Sequence, residues 1–320
     1  MKLLVTGASG FIGTALVRCL CEKGCFRVLA ALHHQIPELP IGVDSVQITG
    51  LTAGTDWSTA LAGVEAVVHL AARVHVMKDS SGDPLAEFRR VNVVRTLNLA
   101  RQAAAAGVKR FIYLSSIKVN GEQTLPGQPF TEEDVPTPHD PYSISKYEAE
   151  EGLRVIAQQT GMEVVIIRPP LVYGPGVKAN FLNMMGWLHR GVPLPFASIN
   201  NRRSLVALEN LLDFIVVCLD HSAAANQIFL ISDGEDLSTA ELLRRMAHAL
   251  GKPAHLIPMP ISLLKVGAVL MGRRDMAQRL CGSLQVDISK ARTLLGWNPP
   301  ISVDEELSRT AQGFLHETTV

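Results

Sequence analysis

Leu3-Leu4-Val5-Thr6-Gly7-Ala8-Ser9-Gly10-Phe11-Ile12-Gly13 opens the chain, and the reading of this stretch decides the fold. A short apolar run meets glycine at once. It then passes into residues 14–23, where apolar side chains recur at helical spacing. Glycines between a strand and a helix let the main chain approach a pyrophosphate and let the helix pack on the strand. The helix start adds free amides and a partial positive charge. A glycine triplet in this strand–turn–helix setting, at the first element of the chain, reads as a dinucleotide-binding loop.

Outward from the loop, strand and helix signals alternate. Strands are predicted at 26–32, 45–49, 64–71, 110–115 and 163–168, and helices at 57–61, 84–106 and 142–160. The two long helices end at Gly107 and Gly161, which suit a C-cap. Near-continuous apolar strands alternating with helices predict an α/β, doubly wound parallel sheet of the Rossmann type, covered on both faces. Residues 120–140 are rich in Pro, Gly, Thr and acids and read as a long functional loop. After residue 170 the pattern loosens, with a strand at 229–232 and helices at 238–250, 261–271 and 303–316. The reading is a dinucleotide-binding domain over 1–170, with segments near 204–232 returning to it, and a smaller, mainly substrate-binding lobe over 171–320.

Composition excludes several classes. Lys+Arg and Asp+Glu both number 30, so no global basic field draws nucleic acid or an anionic membrane. No stretch reads as a signal peptide, and the apolar run at 263–271 is too short to span a bilayer. A soluble cytoplasmic protein is expected. Cys19, Cys21, Cys25, Cys218 and Cys281 form no paired spacing. The first three fall on the first predicted helix without a histidine set, so buried reduced thiols are expected, with no disulfides and no metal.

Two further patterns carry chemistry. Tyr142 and Lys146, in Tyr-Ser-Ile-Ser-Lys, are four apart and share a helix face. A phenol loses its proton near pH ~10. An adjacent ammonium lowers that value and makes the phenol an acid/base near neutrality. Leu114-Ser115-Ser116 ends the fifth strand, at the edge where open parallel sheets bind ligands. A serine hydroxyl there can donate to a substrate oxygen. The second strand ends in His33-His34 where an NAD site usually has an acid. The histidines can accept or partly neutralise a ribose phosphate, so the sequence leans to NADP(H) over NAD(H).

The glycine loop, His69-Leu-Ala-Ala72, Ser115-Ser116, the Tyr-x-x-x-Lys run and Arg168-Pro-Pro-Leu-Val-Tyr-Gly-Pro-Gly176 together resemble the extended short-chain dehydrogenase/reductases. Within them they resemble the nucleotide-sugar epimerase, dehydratase and reductase branch, which includes the UDP-galactose 4-epimerases. The resemblance implies that Ser116 orients the sugar oxygen, that Tyr142 is the acid/base and that Lys146 tunes it and holds the nicotinamide ribose. It implies that Gly7, Gly10, Phe11, Ile12 and Gly13 cradle the cofactor pyrophosphate, with Leu51, Leu70, Ala71, Ala72 and Pro169 along the rest of the cofactor. Asn180, Arg203 and Arg279 are implied at the nucleotide diphosphate. It implies a homodimer through the two long helices.

The chain also departs from that family. Val119-Asn120-Gly121 stands for the usual Val-Tyr-Gly, with Lys118 before it. Val74 stands where epimerases carry a lysine, and Gly50 where an acid meets the adenine. These changes fit a cofactor exchanged at each turnover. The expected activity is therefore NAD(P)H-dependent 4-ketoreduction of a UDP-4-keto-6-deoxy-N-acetylhexosamine, and the resemblance implies that its product serves surface-polysaccharide (O-antigen, lipopolysaccharide) precursor synthesis. The alternatives are a UDP-sugar 4-epimerase with bound NAD and a non-catalytic dinucleotide sensor.

Overall fold

The computed structural model describes residues 1–32, 39–48, 54–74, 82–270 and 274–319. In chain order the first half runs β1 (Lys2–Thr6), α1 (Phe11–Glu22), β2 (Arg27–Leu32), β3 (Asp44–Gln47), α2 (Ser58–Leu61), β4 (Ala66–His69), α3 (Pro84–Arg89), α4 (Arg95–Ala105), β5 (Arg110–Leu114), α5 (Pro141–Thr160) and β6 (Glu163–Arg168). There follow β7 (Leu171–Tyr173), α6 (Ala179–His189), β8 (Arg203–Ala207), α7 (Leu208–Asp220), β9 (Ile228–Leu230), β10 (Asp236–Leu237), α8 (Thr239–Ala249), α9 (Ile261–Leu270), α10 (Arg274–Cys281), α11 (Ser289–Leu295) and α12 (Val303–Thr319).

The main sheet has the order β3-β2-β1-β4-β5-β6-β9, and every pairing in it is parallel. The strand order reverses between β1 and β4, and ligands bind at such a switch point. Alternate side chains go to opposite faces. Leu3 and Val5 meet Leu16 and Leu20 of α1 and Phe214 of α7, whereas Leu4 meets Leu99 of α4 and Leu153 of α5. Both faces are dry, which is why the strands are almost wholly apolar. Each such side chain contributes about 1.5–3 kcal/mol by burial.

β8 pairs with β7 and β10 in a separate small sheet, and β9 closes the main one. A third core, around Tyr173, Phe181, Leu243 and Phe314, holds the small sheet, α6, α8 and α12 together. The 120–140 loop is tied down: Phe130 donates to the Gln285 carbonyl (2.8 Å) and Thr124 to that of Ser283 (2.9 Å). Among the described residues no helix is long and apolar enough to cross a membrane. Cys19 and Cys21 lie half-buried on α1, but Cys25 stands beyond it and is exposed, so the expectation of three buried helical thiols fails there.

Two local features set up the site. Helix α5 begins one residue earlier than the pattern suggests, because Asp140 caps it. Its carboxylate accepts from the Ser143 amide (2.6 Å), the Ser143 hydroxyl closes the reciprocal bond, and Pro141 fills the first turn. It ends at Gly161 in the left-handed region (φ +77°). The expected single helix over 84–106 is interrupted by a wide π turn at Arg90–Val94 between α3 and α4. That turn buries Asn92, whose amide donates to the Arg73 carbonyl (3.1 Å) and the Ser145 hydroxyl (2.9 Å) and accepts from the Arg73 amide (2.7 Å).

Candidate active site

A cleft of about 560 Å³ lies along the carboxyl ends of β1, β2 and β4. Gly7, Gly10, Phe11, Ile12, Gly13, Leu70, Ala71 and Ala72 all line it. The glycines are dictated by space. Gly7 has φ +71°, and a Cβ there would lie 2.7 Å from the Ala71 nitrogen. A Cβ on Gly13 would lie 2.0 Å from the Gly7 carbonyl oxygen. The start of α1 carries no acidic side chain and no side-chain cap, so its amides are available to an anion. A cradle that any side chain would fill, opening on uncapped amides, fits a dinucleotide pyrophosphate.

His69 fixes the floor. Its Nδ1 is 2.6 Å from Thr6 Oγ1 and its Nε2 is 2.9 Å from Thr96 Oγ1, which joins β1, β4 and α4. Burial, with Lys146 adding, pushes its pKa down to about 3, so the ring is neutral.

Ser116, Tyr142 and Lys146 come together beside this cleft. The phenol of Tyr142 lies close enough to the Ser116 side chain for that hydroxyl to pull its pKa down. Its ring meets Phe88 edge-on at 6.2 Å. Lys146 Nζ donates to the Leu114 carbonyl (2.8 Å), and stands 4.5 Å from the Tyr113 ring centroid and 6.0 Å from that of Tyr142. The acidity differs from the sequence expectation. Burial and then Asp140 push Tyr142 up to about 12, with Ser116 offsetting a part. Burial drives Lys146 down to about 7, partly restored by Glu150. In the protein alone, desolvation dominates both groups, and Lys146 is not among those that shift the phenol.

Behind the trio lies a buried network that the sequence reading missed. Arg168 forks onto Glu150 (Nε 3.0 Å, terminal nitrogen 2.5 Å), Ser115 donates to the same carboxylate, and Arg168 also donates to Asn120 Oδ1 (2.9 Å). The Asn120 that replaces the usual tyrosine thus holds the arginine at the end of β6. Glu150 follows Lys146 by four residues on the same face of α5. That spacing was the available signal, as was a charged residue closing an apolar strand. Lys118 pairs with Asp140 and so straps the Ser116 loop to the cap of α5.

The remaining candidates divide. Pro169 is buried, and its carbonyl accepts from the Ile117 amide (3.0 Å), which fixes the loop after β5. Arg203 donates to the carbonyls of Arg279 (2.9 Å) and Gly282 (3.1 Å). Burial and then Arg279 lower its pKa, so the structure brings these two guanidiniums together. Asn180 is exposed in the first turn of α6, following Ala179 at φ +57°. His33, His34 and Leu51 lie outside the described residues. Trp57, Arg95 and Lys178 also line the cleft and were not anticipated. The conspicuous signal was a cation at 95, just after the buried Asn92.

A model described as NAD dependent epimerase/dehydratase family matches residues 3–232. A UDP-glucose 4-epimerase of Vibrio cholerae is 50% identical over 317 residues, 98% of this chain and 95% of that one. A 2-alkyl-3-oxoalkanoate reductase of Stenotrophomonas maltophilia is 30% identical over 334 residues, 97% of this chain and 98% of that one. Among solved structures, a UDP-glucuronic acid 4-epimerase from Bacillus cereus, in complex with NAD, superposes with a TM-score of 0.81 at 23% identity. It covers 100% of this chain and 98% of that one, a likeness of fold.

Proposed function

The chain belongs to the NAD dependent epimerase/dehydratase family, and from that premise we propose that it is a 4-epimerase of a UDP-linked hexose, working with NAD. The observation that carries the reading is the 50% identity to a UDP-glucose 4-epimerase over nearly the whole of both chains. It favours the epimerase over the ketoreductase suggested by the sequence.

A nicotinamide dinucleotide held by Gly7, Gly10, Phe11, Ile12 and Gly13 and by Lys146 would supply reversible hydride acceptance. The protein's part is proton handling and orientation. Ser116 donates to the C4 oxygen. Tyr142 takes the hydroxyl proton as hydride leaves C4 and gives it back on return. Electrostatic stabilisation of the developing oxyanion supplies much of the rate. Lys146, held towards its cationic form by Glu150, would draw the phenol towards neutrality. Arg203 and Arg279, two cations in one place, suit the sugar-nucleotide diphosphate. Asn180 stands for a further contact there. We assign the product to surface-polysaccharide precursors, and the helices α3 to α5 to a dimer contact.

The test is turnover without added cofactor. Purified protein should interconvert UDP-glucose and UDP-galactose, or their N-acetyl forms, and carry NAD through gel filtration. One observation favours a second reading. Val74, 62% exposed, lines the cleft where a retaining lysine stands in epimerases. A 4-ketoreductase that exchanges NADP(H) at each cycle fits it. Consumption of one NAD(P)H per 4-keto sugar, with no epimerisation, would replace the first reading by the second.

A further inference from the structure

We propose that Arg95 helps select the cofactor, its guanidinium taking an acceptor on the adenosine half of the dinucleotide: a ribose 2′-phosphate oxygen or an adenine ring nitrogen. This rests on the reading that the cleft holds a nicotinamide dinucleotide.

The placement comes from the wide turn. Arg95 is the first residue of α4, directly after Arg90–Val94. Its neighbour Thr96 bonds His69 at the carboxyl end of β4, so Arg95 stands at the ligand-binding edge of the sheet. It lines the cleft with Ala31 and Leu32 of β2, Ile48 just beyond β3, and Trp57. Its Nε is buried and has no hydrogen-bond acceptor. A buried guanidinium donor left unmade is costly, and an arriving acceptor removes that cost. Burial and then Arg90 lower its pKa. The nearby Glu87 carboxylate is engaged by Arg90 at 2.8 Å. No acid closes β2 to claim the ribose hydroxyls, since residues 27–34 contain none. An arginine near that strand end accommodates a 2′-phosphate in this type of fold, and its planar fork matches phosphate or a ring-nitrogen edge.

The experiment is calorimetric titration of 5′-AMP and of adenosine 2′,5′-bisphosphate into wild type, Arg95→Ala and Arg95→Gln, each stripped of retained dinucleotide and refolded, with circular dichroism to establish the fold. Arg95→Ala should weaken binding of at least one nucleotide ten-fold or more. A loss confined to the bisphosphate identifies the 2′-phosphate as the partner, and an equal loss on both that is shared by phosphate-free adenosine identifies the adenine. Should Arg95→Ala misfold, Arg95→Gln carries the test, since it keeps a donor without the charge and loses the phosphate contact. Folded variants that bind both nucleotides as wild type does overturn the proposal while leaving the dinucleotide reading intact. Wild type that binds neither nucleotide nor NADH, followed by its fluorescence, overturns both.

Discussion

Glu150 and Arg168 form a forked ion pair at 0% and 1% side-chain exposure, one helical turn beyond Lys146. Each charge is tolerable only because the other is present. Glu150→Ala should therefore cost about 3–5 kcal/mol by denaturant unfolding, the range for breaking a buried pair. The variant should also lose activity at neutral pH, because Glu150 is what raises Lys146 from its desolvated value. A loss below about 1 kcal/mol would mean that water enters the pair.

Tyr142→Phe keeps the ring against Phe88 and removes the titrating oxygen. Turnover should fall by about 10²–10⁴, with NADH affinity nearly unchanged. Unaltered turnover would remove Tyr142 from the mechanism.

Gly13→Ala tests the cradle. The new methyl would sit 2.0 Å from the Gly7 carbonyl oxygen, a backbone atom that cannot rotate away. Dinucleotide binding should be abolished, and stability should drop by about 1–3 kcal/mol from overpacking. Wild-type binding in a titration would mean that the loop is looser than its geometry.

Glu306 of α12 gives a pH dependence. Both of its oxygens are buried without a hydrogen-bond partner. Burial, with Glu209 adding, pushes its carboxyl up to about 7. Its proton is thus held more tightly in the folded chain than in the unfolded one. The associated stability is complete below the unfolded value of about 4.3 and is lost as pH rises through about 7. Glu306→Gln should raise the melting temperature at pH 8 relative to wild type and gain less at pH 5. An equal offset at both pH values would sink the assignment.

Helices α4 and α5 pack together, and Val94 at the end of the wide turn and Val155 of α5 stand exposed, at 42% and 49%. Sedimentation at micromolar concentration should give a dimer if these faces meet a second copy. A monomer alone would contradict the contact.

The parallel sheet was readable because one cause wrote both signals: strands dry on two faces are apolar throughout, and glycines are forced where chain passes chain. Tyr142 and Lys146 shared a face by spacing alone. Their acidity was not readable, since it depends on burial among Tyr113, Phe88 and Asp140, which no local pattern records. The small sheet was hidden for a related reason: β8 has the same apolar run as a strand of the main sheet, and periodicity does not say which partner it pairs with. The pair Arg168–Glu150 joins a strand end to a helix across 18 residues. The wide turn at Arg90–Val94 has no proline or glycine to announce it.

That turn also carries one residue more than an ordinary helical turn would hold. Each residue of a helix advances the direction of its side chains by about 100°. The wide turn closes its hydrogen bonds over five residues where an ordinary turn uses four, so deleting one of residues 90–94 would restore ordinary pitch and leave the helix upstream at nearly its present angle. Phe88 would keep its place at the edge of Tyr142, whereas the local path that lets Asn92 reach both Arg73 and Ser145 would be lost. The irregularity works as an inserted residue absorbed within one turn, re-aiming a single side chain without rotating the helices on either side of it.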